Sequence, residues 1–134
     1  MSWVRLLLVL LMGIMLIYDG YCLAWRLMFV QSGVASWYGS EQQGCLTADG
    51  ETFNRHKFTA ASPHLPFNTV VRVTNENNGR SIDVRINDRG PHRKGRVLDL
   101  SEAAAESLDM KDSGTAPVKI RVVKPASAEG ATSP

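Results

Sequence analysis

The fold class this sequence predicts is a small all-β barrel with one short α-helix, preceded by an apolar N-terminal segment. Three observations predict it. Apolar and polar residues alternate in short runs, most clearly at Val71-Arg72-Val73-Thr74 and Ile82-Asp83-Val84-Arg85-Ile86, which is the period of strands with one buried face. Turn-forming residues separate the runs, as at Asn77-Asn78-Gly79 and Arg89-Gly90-Pro91, where Gly and Asn accept left-handed angles and Pro forbids a ladder donor. Beyond the N-terminal segment, only Ser101 to Met110 carries a convincing helix pattern.

With 134 residues, the chain fits one domain with a workable core. Its net charge of +2 argues against nucleic acid as a partner. Basic residues do gather at Arg89, His92, Arg93, Lys94 and Arg96, a run that reads as a solvated loop able to attract anionic wall polymers at low specificity.

The chain opens with a targeting pattern. Arg5 is the positive flank, Leu6 to Tyr18 is apolar apart from Gly13, and Cys22-Leu23-Ala24 suits a signal peptidase. Residues 1–24 therefore read as a cleaved signal, with an uncleaved membrane anchor as the alternative. The bulky Tyr21 before Cys22 argues against a lipid anchor there. With Cys22 removed, Cys45 is a lone thiol and the domain rests on its core. No His/Cys group has zinc-ligand spacing, and no cofactor is expected.

Taken in order, Val34 to Tyr38 is the first strand, ended by Gly39. Alternation sends Trp37 and Tyr38 to opposite sides, so one can plug the core while the other offers a sugar an aromatic face. Ser40 to Asn54 is a polar, Gly-rich loop, long enough to suggest function. Lys57 to Ala61 is the second strand, and Thr69–Asn75 with Ser81–Asn87 form a hairpin. Arg72, Asp83 and Arg85 on its outward face read as solvated cross-strand pairs. Arg96 to Leu100 returns as a strand, followed by a helix with Ser101 as N-cap and Asp112-Ser113-Gly114 as its stop. Pro117 to Val123 closes the barrel, giving a domain over residues 33–123, and residues 124–134 form a disordered tail.

Asp88 stands where the fourth strand breaks. Parity puts it on the apolar side, where a partly desolvated carboxylate suits proton transfer. The plainer reading is a cap of the Arg-Gly-Pro turn or a pair with Arg89. Asp99 reads as a turn or cap residue that could also line a groove.

The motifs Asn87-Asp88-Arg89-Gly90-Pro91 and Arg96-Val97-Leu98-Asp99-Leu100-Ser101, with Gly33-Val34-Ala35-Ser36-Trp37-Tyr38-Gly39, Thr47-Ala48-Asp49-Gly50-Glu51 and Thr59-Ala60-Ala61-Ser62 upstream, together resemble the rare lipoprotein A family. Those proteins are double-psi β-barrels of the bacterial envelope, related to expansins and barwin-like domains. The resemblance implies a six-stranded double-psi barrel acting on peptidoglycan glycan strands as a lytic transglycosylase. It further implies a monomer in the periplasm or cell envelope, tethered through the N-terminal segment if that is retained. It assigns catalysis to Asp88 and substrate contacts to Glu51, Ser62 and Asn54, beside Trp37, Tyr38 and Arg89. Two positions depart from the pattern: Ser62 replaces a His of active members, and Asn54 replaces a common Asp. The alternative function is a non-catalytic, expansin-like module that binds cell-wall glycan.

Overall fold

The structure, a computed structural model, describes residues 2–28 and 30–126. The side chains of residues 21–28, where the sequence places cleavage and an unlipidated Cys22, lie outside the described residues, as does the tail from residue 127. A helix α1 runs from Trp3 to Met28 without a break at Ala24. By length and composition its Trp3–Gly20 stretch could cross a membrane, a property that signal segments share.

Six strands follow among the described residues: β1 (Val30–Tyr38), β2 (Thr59–Ala61), β3 (Val70–Asn75), β4 (Ser81–Asp88), β5 (Arg96–Ser101) and β6 (Thr115–Lys124). They close in the order β1-β5-β2-β4-β3-β6. Two of the pairings, β1 with β5 and β2 with β4, are parallel, and the rest are antiparallel. Alternation fills the interior: Val71, Val73, Val84, Ile86, Leu98, Leu100, Val118 and Ile120 are buried. Closure leaves these strands no free edge.

The expected hairpin is present, with Arg72 opposite Asp83 and the two side chains paired at 2.9 Å. β1 begins four residues earlier than its sequence pattern, because residues 30–33 find backbone partners along β6 from Val118 to Arg121. The helix α2 is shorter than expected, Glu102–Ser107 rather than Ser101–Met110. Asp109 turns to φ 53°, which lets both Leu108 and Met110 bury. The freed Leu108 carbonyl accepts side-chain amide hydrogens from Asn75 at the end of β3 and Asn78 in the turn that follows, each at 2.9 Å. A helix end satisfied in this way needs no further turn.

Ser101 caps the start of α2 as expected. Its hydroxyl accepts from the Ala104 amide and donates to the Lys57 carbonyl at 2.6 Å. It thereby ties the helix to the approach of β2, which runs between β4 and β5. Ala61 of β2 is opposite Asp88 on one side and Asp99 on the other.

Candidate active site

The site begins with a single extra residue. The β2–β4 register steps from Ala60 opposite Ile86 to Ala61 opposite Asp88, so Asn87 is the additional member of a β-bulge. Ile86 and Asn87 are both buried, and Asp88 is half-buried like Arg85. A bulge re-aims the side chains that follow it. This corrects the parity expectation, since Asp88 leaves the apolar side and joins the face that carries Arg85.

Asp88 is held by backbone. Its Oδ1 accepts the amide hydrogens of Ala48 and Arg89, each at 2.9 Å. Behind it lies Tyr38, whose ring is 4.8 Å from that of Phe53. The Tyr38 hydroxyl is buried beside the Asp88 carboxylate. Burial above all, and then the negative charges of Asp88 and Asp99, push its ionisation up. Asp99 accepts from the Ser36 hydroxyl and sits 3.6 Å from Arg96. A Cβ on Gly90 would lie 3.9 Å from its Oδ2. Asp99 thus belongs with Asp88 and Tyr38 rather than with a helix cap.

The loop ahead of β2 folds over the end of β4. Leu46 and Thr52 bridge across it, the Ala48 amide reaches Asp88, and the Asp49 amide donates to the Asn87 carbonyl at 3.3 Å. Glu51 then meets Arg85, with Nη2 donating to Oε2 at 2.7 Å and Nη1 to Oε1. Arg85 chiefly, helped by smaller contacts with Asp49 and Asn87, holds the Glu51 carboxyl down to about 2. Asp49 accepts from Thr47 and from the Glu51 amide, and burial pushes its carboxyl up. Glu51 is therefore a fixed anion and not a proton donor.

Arg85 departs from the solvated cross-strand pair expected of it. Counting from the Asn-Gly turn places Val70 opposite it, not an acid, and that count was the available signal. Its acid lies 34 residues upstream in the chain, beyond the reach of any local pattern.

The other residues singled out by the sequence are placed as follows. Ser62 is buried, and its oxygen accepts amide hydrogens from Leu65 at 3.1 Å and His64 at 3.4 Å, so it organises its own turn. Its amide donates to the Asp88 carbonyl at 3.1 Å, which keeps that turn beside the site. Arg89 grips the same turn, donating to the Leu65 carbonyl at 2.8 Å with its guanidinium 3.8 Å from the Phe67 ring centre. Asn54 accepts from the His56 amide at 3.0 Å in a turn of its own. Trp37 faces the opposite way from Tyr38, donating from Nε1 to the Lys111 carbonyl at 3.1 Å and packing on the core. The fold thus gathers Asp88, Glu51 and Tyr38, sets Ser62 and Arg89 at their border, and leaves Trp37 and Asn54 tied elsewhere.

A family model of double-psi barrels described as lytic transglycolase matches residues 30–120. The endolytic peptidoglycan transglycosylase RlpA of Campylobacter jejuni is 52% identical over 91 residues, covering 68% of this chain and 33% of that protein. The protein of the same name from Vibrio cholerae is 48% identical over 95 residues, covering 71% of this chain and 36% of its own. The chain therefore spans about a third of the length of these curated relatives. Among solved structures, a Streptomyces papain inhibitor superposes with a TM-score of 0.59 at 23% identity, covering 72% of this chain and 96% of that one. A Clavibacter michiganensis expansin gives 0.59 at 22%, covering 74% and 53%. At those identities the likeness is one of fold.

Proposed function

The chain belongs to the lytic transglycolase family of double-psi barrels, and on that footing we propose that it cleaves peptidoglycan glycan strands between muramic acid and glucosamine, leaving an anhydro-muramic end. The observation that carries this reading is the placement of Asp88. Its carboxylate is half-buried at the end of β4, and two backbone amides fix its Oδ1.

Glycosidases that use water need two carboxyls, one as acid and the other as nucleophile or base. An intramolecular displacement needs only one. Asp88 gives its proton to the bridging oxygen as the bond to the muramic C1 breaks. The C6 hydroxyl of the same sugar then attacks C1 and returns a proton to Asp88, so the carboxyl ends as it began. Positive charge gathers on C1 in between. Glu51, ionised against Arg85, supports that charge without entering the proton exchange. Tyr38 backs Asp88, and the Ser62–Phe67 turn borders the groove.

The substrate lies outside the cytoplasmic membrane. The reading therefore places the barrel there, with α1 as the export signal or tether, residues 33–123 as the working domain and the chain as a monomer.

The test is mass spectrometry of peptidoglycan strands, with and without stem peptides, after incubation with the full chain or its Asp88→Asn variant. Anhydro-ended products, reduced about 10²- to 10⁴-fold in the variant, are expected. Reducing ends in their place would show hydrolysis and sink the one-carboxyl mechanism. Intact strands that still bind would leave a glycan-binding module.

A further inference from the structure

Arg85 joins three segments at the face of Asp88. From β4 its guanidinium reaches both oxygens of Glu51 in the loop ahead of β2. Nη1 also donates to Asn68 Oδ1 at 3.2 Å, from the turn ahead of β3, and lies 3.8 Å from Asp49. Asn68 holds φ 69°, a left-handed conformation that Asn tolerates better than most residues. A planar fork spends two N–H groups on one carboxylate and fixes its direction as well as its charge. A lysine ammonium supplies the charge alone.

We propose that Arg85 is a positioning residue of this site, its guanidinium holding both Glu51 oxygens as a standing anion on the face that carries Asp88. The inference rests on the proposed transglycosylase reading for its kinetic consequence, but not for its geometry. The groups facing Glu51 are Arg85 from β4, Asp49 from its own loop, and the neutral amide of Asn87. Arg85 is the cation among them. Glu51 stays ionised against that cation, so its carboxylate stands as a fixed anion on the face where the sugar's C1 turns positive. Asp88 is left as the proton carrier, because Glu51 has no proton to give.

The test compares the full chain with Arg85→Gln and Arg85→Lys, after urea melts establish that each variant folds. Carbon-13 NMR follows the Glu51 carboxyl through a pH titration, and the rate of strand cleavage is measured over the same range. In Arg85→Gln the Glu51 titration is expected to rise into the ordinary carboxylate range. The acidic limb of the cleavage profile should rise with it, and kcat should fall on the order of 10²-fold with little change in KM. Arg85→Lys is expected to fall between wild type and Arg85→Gln on each readout, and it decides the matter if Arg85→Gln fails to fold. A Glu51 titration unmoved in a folded variant overturns the inference, as does a cleavage profile unmoved while Glu51 shifts. A wild-type chain that never cleaves overturns the transglycosylase reading instead, and the titration still decides whether Arg85 holds the anion.

Discussion

Asn87 shows how far one residue can redirect a site. The run Ile82-Asp83-Val84-Arg85-Ile86 alternates cleanly, and its continuation puts Asp88 inward. The register step at Ala61 turns it outward instead, where the amides of Ala48 and Arg89 hold it. Nothing in the local alternation announces a bulge, because the extra residue is identified by its partner strand and not by its own neighbours. The place of Asp88 at the end of its strand was therefore legible while its orientation was not. Tyr38 is the second case. Alternation separates it from Trp37, as found, and its buried hydroxyl lies beside the Asp88 carboxylate. Alternation gives the side of the sheet the ring takes, but not the acid its hydroxyl meets.

The elements are held by their ends. Ser101 finishes β5, starts α2 and anchors the Lys57 carbonyl with one hydroxyl. Ser101→Ala strands that carbonyl and uncaps the helix, with an expected loss of about 2 kcal/mol; a thermal midpoint within a degree of wild type would contradict it. At the other end, Asn75 and Asn78 serve a helix carbonyl from the hairpin. The sequence shows Asn75 as a strand end and Asn78 as a turn former, yet only tertiary packing reveals what their amides bind. The same limit applies to Arg85. Strand and helix positions follow from local periodicity and capping chemistry, so they were legible to within a few residues. Pairs such as Arg85 with Glu51 depend on which loop crosses which strand, and periodicity is silent on that.

Taken as a whole, the molecule couples its site to its stability through acid. The Glu51 carboxyl lies near 2 when folded, against 4.5 as its ordinary value. Its contribution is therefore complete above about pH 4.5 and is lost as pH falls from there toward 2. The side chain is 39% exposed, so screening limits the effect to about 1 kcal/mol. Asp49, pushed the opposite way by burial, gives stability that fades as pH rises and so flattens the profile. Urea melts of wild type and Arg85→Gln should differ by about 1 kcal/mol at pH 6 and converge near pH 2. A gap that persists in acid would place the stabilising role of Arg85 elsewhere.

The closing strand has a consequence in time. β6 pairs with β1 from Thr115 to Arg121 and with β3 on its other side, so the first strand of the barrel waits for the last. A chain emerging N-terminus first, from a ribosome or a narrow pore, cannot shut its barrel until Thr115 to Lys124 have followed. Most of its length must travel as an open thread, and assembly becomes a single late event instead of a gradual one.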